Sequence, residues 1–164
     1  MEITNEVYLS LGSNLGDRQL YLEKAIELLT QNGFNVEVIS PVYETPAIAI
    51  EGAPDFLNCC LKGNTFMNPV ELLTRLQEIE LLLGRVRREN TTLSRTIDID
   101  LIFFGNSVIN QPYLQIPHPR YHERKFVLLP LLDIDSNLID PLLGIPVHHF
   151  FENCPDKSIL KKIQ

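Results

Sequence analysis

Residues 95–104 read R-T-I-D-I-D-L-I-F-F. From Ile97 to Leu101 the stretch alternates apolar and acidic residues, the period of a β-strand with one covered face. Ile97, Ile99 and Leu101 then face a core. Asp98 and Asp100 share the opposite, open face, about 6–7 Å apart along the strand. The strand turns at Gly105-Asn106.

Upstream, Val7-Tyr8-Leu9-Ser10-Leu11 alternates as a first strand, broken by Gly12-Ser13-Asn14-Leu15-Gly16-Asp17. Leu22, Ala25, Ile26 and Leu29 give residues 18–31 helical spacing, with Asn32-Gly33 as the stop. Phe34 to Tyr43 is predicted as a second strand and Phe56 to Phe66 as a third, joined by a long loop, 44–55, containing Pro46, Gly52 and Pro54. Asn68, Pro69 and Glu71 then make an N-cap, first helical residue and capping box for a helix that carries Leu72, Leu73, Leu76, Ile79, Leu82 and Leu83 and stops at Gly84. A second long loop, 85–94, leads into the strand that carries the acids. Beyond it lie seven prolines and one apolar stretch, Phe126 to Leu132, that fits a short helix. The order β-α-β-β-α-β predicts an α+β, ferredoxin-like sandwich: an antiparallel sheet with two helices on one face, plus short C-terminal helices.

The 164 residues suit a single domain, 1–164, and a 45% hydrophobic, 21% charged composition is ordinarily globular. No apolar run approaches the ~18–20 residues of a membrane span, and Met1-Glu2-Ile3-Thr4 opens no signal peptide. A cytoplasmic protein is expected. Three cysteines do not make a disulfide framework, and adjacent Cys59 and Cys60 should point to opposite faces of their strand as small core fillers. A net charge of −7 disfavours nucleic acid as a partner. The cations are nevertheless concentrated. Residues 84–97 hold Arg85, Arg87, Arg88 and Arg95 against Glu89 alone, and residues 117–126 hold Arg120, Arg124 and Lys125 against Glu123, beside His118 and His122. Two such clusters in an acidic chain suit a compact polyanion.

A solvated polar face is the plain alternative for any D-x-D. Here the acids have no basic partners nearby in sequence, so a cation between them is a natural remedy. Magnesium takes few carboxylates and completes its shell with water and phosphate oxygens. Carboxylate pair plus arginine loop therefore points to a magnesium–nucleotide site. A paired-acid glycosidase leaves the arginines unexplained. No G-x-x-x-x-G-K-[ST] occurs, and the protein-kinase glycine loop and H-R-D are missing. Gly12 to Asp17 serves more simply as turn and cap than as an anion seat.

At this point the motifs resemble a known family. Y-L-S-L-G-S-N-L-G-D-R (8–18), Y-E-T-P (43–46), P-D-F-L-N (54–58), G-R-V-R (84–87), R-T-I-D-I-D (95–100) and I-P-H-P-R-Y-H-E-R-K-F-V-L-L-P-L (116–131) fall in order. Together they resemble the 6-hydroxymethyl-7,8-dihydropterin pyrophosphokinases of folate biosynthesis, from the first strand to about Val147. The resemblance implies transfer of a diphosphate from ATP to the pterin's hydroxymethyl oxygen, with release of AMP. It implies that Asp98 and Asp100 hold two magnesium ions, with Arg85 and Arg95 beside them in catalysis. Arg87, His118 and Arg124 would help neutralise the phosphates, while Gln77, Glu80, Arg88 and Leu101 match nucleotide positions. Phe56 and Phe126 match the pterin's stacking positions, Asn58 the residue that recognises its edge, and Thr45, Pro46 and Ala47 complete that edge. ATP and the pterin are the expected partners of a monomer.

The chain departs from the family at Thr91-Thr92-Leu93-Ser94, where many members carry an arginine and Trp-Gly-Pro; this chain has no Trp. Arg88 offers a replacement phosphate contact. The loop arginines are expected to repel one another and hold residues 85–94 open until nucleotide arrives. Two other readings stand beside this one: a non-catalytic ligand-binding domain of the same fold, and a different magnesium-dependent phosphoryl or nucleotidyl transferase. The tail from Pro155 to Gln164, with three lysines, lies outside every motif.

Overall fold

The elements form where the local patterns place them. In the computed structural model, which describes residues 3–47, 51–85 and 95–163, β1 (Asn5–Ser13) leads into α1 (Arg18–Gln31), β2 (Phe34–Ile39), β3 (Tyr43–Thr45), β4 (Phe56–Thr65), α2 (Pro69–Leu82) and β5 (Asp98–Phe104). A hairpin of β6 (Ile109–Gln111) and β7 (Leu114–Ile116) follows, then α3 (Lys125–Ile134), α4 (Val147–Glu152) and β8 (Lys161–Lys162). The strands β1, β2, β4 and β5 lie side by side as β5-β1-β4-β2, all antiparallel, the ferredoxin-like arrangement. Both helix starts are chemically specified. Asp17 accepts the Leu20 N–H at 3.1 Å, and Asn68 and Glu71 exchange side-chain-to-backbone bonds at 2.9 and 2.8 Å.

One predicted strand is two. Residues 34–43 break at Ser40-Pro41 because proline has no N–H for the ladder. The Ser40 hydroxyl instead accepts the Cys60 N–H at 2.8 Å, and pairing resumes at Tyr43 opposite Asn58.

The sheet is covered on both sides, where the sequence suggests helices on one. α1 and α2 bury Leu22, Ala25, Leu29, Leu72, Leu76 and Ile79 against β1, β4 and β5. On the other face, α3 and α4 bury Val127, Leu128, Leu131 and Val147 against Tyr8, Cys60, Ile102 and Phe103. Each such aliphatic side chain contributes roughly 1.5–3 kcal/mol on burial. Cys59 and Cys60 do face opposite cores, and burial pushes the Cys59 thiol up to about 12, leaving no reactive thiolate there. A bulge adds to the second core. Leu101 pairs with Leu9 and Phe103 with Tyr8, so Ile102 is the extra residue. Ile102 and Phe103 both join the second core, and Phe104 returns to the first.

The second layer covers only part of its face. Beyond the bulge, the ends of β1, β4 and β5 are left open, and the two acids lie there. Among the described residues no helix is long and apolar enough to cross a membrane.

Candidate active site

Register assembles the floor of this opening. Ser10 lies opposite Asp100 and Cys60; Gly12 lies opposite Asp98 and Asn58. Asn58, Gly12 and Asp98 thus form one row across three strands, on the face shared with Phe56 and Asp100. Gly12 is required by contact rather than by backbone angle: a Cβ there would stand 2.8 Å from the Asn58 Oδ1. Asn58 cannot easily retreat, because it is buried and its Nδ2 donates to the Thr45 hydroxyl at 2.8 Å. Gly12→Ala should therefore fold but displace the Asn58 amide, weakening any ligand bound by that amide about tenfold, as loss of one buried hydrogen bond would. Titration of a pterin analogue checks this; affinity within twofold of wild type would mean that Asn58 does not contact the ligand.

The opening divides into two chambers. One, of about 330 Å³, is walled by Thr45, Pro46, Ala47, Phe56, Asn58 and Phe126. The other, of about 470 Å³, is walled by Gln77, Glu80, Leu101, His118 and residues 112–115, the turn after β6 and the start of β7. Arg95, Asp98, Asp100 and Arg124 line both. The two chambers share a wall of two acids and two arginines.

The acids have basic partners after all, supplied by the fold rather than by neighbours in sequence. Asp98 accepts from Arg85 at 2.5 Å through one oxygen and from Arg95 at 2.9 Å through the other. For Arg85, the loop arginine among the described residues, this corrects the expectation of mutually repelling cations. Arg85 is held in turn by an ion pair with Glu80, which is almost wholly buried on α2 and positions that guanidinium at the second chamber's edge. Among the described residues, Asp100 forms its ion pair with Arg124, at 3.7 Å. Burial, then the Asp98 charge, pushes its carboxyl up to about 7, against the pull of Arg124, Arg85 and Arg95.

His118 lines the second chamber. Burial, then the Arg124 charge, pushes it down to about 4, so in the ligand-free chain it is neutral at pH 7. Its Nδ1 accepts the Arg120 N–H at 3.1 Å, which leaves the proton on Nε2 and makes the ring a fixed donor.

The described site residues named from sequence all converge on these chambers; Arg87, Arg88 and Thr91 to Ser94 lie outside the described residues. Sequence reasoning missed Gly12 and residues 112–115 of the β6–β7 hairpin. It also missed Asn14 as a clamp between loops. Asn14 is buried, donates its amide to the Pro54 carbonyl at 3.2 Å and accepts the Arg95 N–H at 2.7 Å, so the ends of both long loops are tied to the end of β1. A buried asparagine in a turn was the available signal, masked by the commoner capping reading.

Magnesium fits the donor set. Two hard carboxylates lie side by side, and burial together with the Asp98 charge holds the Asp100 carboxyl above its ordinary value. Among the described residues no group of three or more His, Cys, Asp or Glu could cage a metal, so water and ligand oxygens must complete the shell, as magnesium prefers.

Comparison with known proteins shows the family. The family model described as 7,8-dihydro-6-hydroxymethylpterin-pyrophosphokinase matches residues 8–136. The 2-amino-4-hydroxy-6-hydroxymethyldihydropteridine pyrophosphokinase of Aquifex aeolicus is 42% identical over 144 residues, covering 88% of this chain and 89% of the relative. That of Bacillus subtilis is 43% identical over 133 residues, covering 80% and 79%. The folic acid synthesis protein fol1 of Pneumocystis carinii is 43% identical over 158 residues, 96% of this chain but only 21% of that longer protein. A Plasmodium falciparum HPPK-DHPS structure, solved with pterin and p-hydroxybenzoate, superposes with a TM-score of 0.72 at 18% identity, over 92% of this chain and 42% of that one; it supports the fold. With the acid pair, the arginine wall and the matched span in agreement, this chain belongs to the 7,8-dihydro-6-hydroxymethylpterin-pyrophosphokinase family.

Proposed function

We propose that this chain, as one domain of residues 1–164 acting as a monomer, transfers the terminal diphosphate of ATP to 6-hydroxymethyl-7,8-dihydropterin. The hydroxymethyl oxygen attacks the β-phosphorus, the bond from that phosphorus to the bridging α,β-oxygen breaks, AMP leaves, and the hydroxyl proton is released. One observation carries this reading: two chambers of different chemistry meet at a wall of two acids and two arginines.

The first chamber suits a flat heterocycle. Phe56 and Phe126 offer ring faces, and Asn58, held by Thr45, offers a fixed amide to the ligand's edge. The second takes the nucleotide, with Leu101 and Gln77 at its wall and His118 adding a hydrogen bond without adding charge. Asp98 and Asp100 would hold two magnesium ions, which when bound neutralise phosphate charge and make the attacking hydroxyl more acidic. Arg85 and Arg95 then exchange their hold on Asp98 for phosphate oxygens. Arg124 lies with its guanidinium 5.9 Å from the Phe126 ring centre, between the aromatic wall and Asp100, where charge develops during transfer. Asn14 keeps Arg95 at the junction. Because the chambers share this wall, a bound hydroxymethyl group and a bound triphosphate meet there.

Product analysis tests the reading. With ATP, magnesium and the pterin, phosphorus NMR should show AMP and pterin diphosphate rising together in equal amounts. ADP would identify a simple kinase, and an absence of turnover a binding domain.

A further inference from the structure

We propose that residues 155–163 form a strap that holds the two walls of the pterin chamber at their working separation, with Asp156 as a positioning residue. This rests on the pterin reading of that chamber. The strap begins after Cys154, which is buried in the second core. α3 starts at Lys125, directly between Arg124 and Phe126, and has no side-chain cap from its own N-terminal residue. Asp156 supplies one from 31 residues away: its Oδ2 accepts the Lys125 N–H at 3.1 Å. Its Oδ1 accepts the Ser158 N–H and hydroxyl at 2.9 and 2.6 Å, and the Lys125 ammonium donates to the Ser158 carbonyl at 3.1 Å. Burial opposes the charge on this carboxyl, yet the Ser158 and Lys125 donors hold it below its ordinary value.

The chain then crosses to the opposite wall. Lys161 and Lys162 pair with Glu44 and Tyr43, and the Ile163 N–H reaches the Val42 carbonyl at 2.8 Å. β3 is three residues long, and Thr45 ends it; Pro46 and Ala47 follow directly into the chamber. Without β8 this short strand would be an unpaired edge on that side. The strap therefore grips each wall within one or two residues of a chamber-lining side chain: Lys125 beside Phe126, and Glu44 beside Thr45. The two walls are also joined further along α3, where the Tyr43 hydroxyl donates to Asp133. The nucleotide chamber, built mainly on α2, β5 and the β6–β7 hairpin and sharing Arg124 with the first chamber, receives no hydrogen bond from the strap among the described residues.

Two variants test this: a chain ending at Ser158, and Asp156→Ala, with Asp156→Asn as the version that keeps one carbonyl acceptor. Each is titrated with oxidised 6-hydroxymethylpterin and, separately, with magnesium α,β-methylene-ATP. Pterin affinity should fall about five- to tenfold in the first two and less in Asp156→Asn, with nucleotide affinity within about twofold of wild type. Amide exchange in the ligand-free chain should quicken at Tyr43, Thr45 and Lys125 to Leu128. Unchanged pterin affinity, or equal loss of both ligands, overturns the strap. If the wild-type chain binds no pterin, the functional reading fails instead, and exchange at the two walls alone decides: faster in the variants supports the strap, unchanged overturns it.

Discussion

Asp100→Asn should cost roughly a thousandfold or more in turnover while making the ligand-free protein more stable at about pH 8. The activity loss follows from removing one of two carboxylates that would hold the metal, several kcal/mol of charge stabilisation in the transition state. The stability gain follows from the raised carboxyl. Folded, Asp100 keeps its proton to about 7; its ordinary value is 3.8. Between these values the folded chain binds more protons than the unfolded one, so stability falls as pH rises through the interval. The contribution is complete below about pH 4 and lost above about pH 7. An uncharged amide removes that dependence, so the melting temperature of the variant should exceed wild type by more at about pH 8 than at about pH 5, in chelator. Asp98→Asn should lose comparable activity without the stability gain, because Asp98 holds both Arg85 and Arg95. A melting-temperature difference that does not change with pH, or turnover within tenfold of wild type, would sink this account of Asp100.

Arg95→Ala should lower kcat by roughly 10²–10³, the usual cost of removing one donor aimed at developing charge. Arg95 stands at the junction of both chambers, and its backbone is fixed twice by Asn14, through the Asn14 Oδ1 at 2.7 Å and the Asn14 N–H at 3.1 Å. Arg95→Lys should recover only part of the loss, since an ammonium lacks the planar fork. Asn14→Ala should fall between the two, with kcat lowered more than KM, because the guanidinium survives but is no longer held in place. Steady-state kinetics on the three variants give the order. Turnover in Arg95→Ala within tenfold of wild type would assign Arg95 a structural pairing with Asp98 and nothing more.

The site was legible wherever it depends on local period. Ile97 to Leu101 alternates, so the acids had to share a face; Cys59 and Cys60 had to part; and Asn68 to Glu71 had to start a helix. Phe56 and Asn58, two apart on one strand, lie together in the first chamber for the same reason. The break at Ser40-Pro41 was also present in the sequence, as a proline within a predicted strand, and was passed over.

What the amino-acid sequence by itself determined is thus the order β-α-β-β-α-β, the faces of its strands, the helix starts and the motifs that mark the family. These follow from interactions within a few residues, where periodicity and capping leave little choice. Only the tertiary structure decided the rest. The register of β1 on β4 and β5 placed Gly12 between Asp98 and Asn58. The bulge at Ile102 turned Phe103 to the second buried face, and α3 closed only part of that face. Burial of Glu80 beside Arg85 joined α2 to the acid pair 18 residues further on, and the packing around His118 removed its charge. Each is set by pairing between segments far apart in the chain, whose closure depends on the whole core rather than on any local pattern.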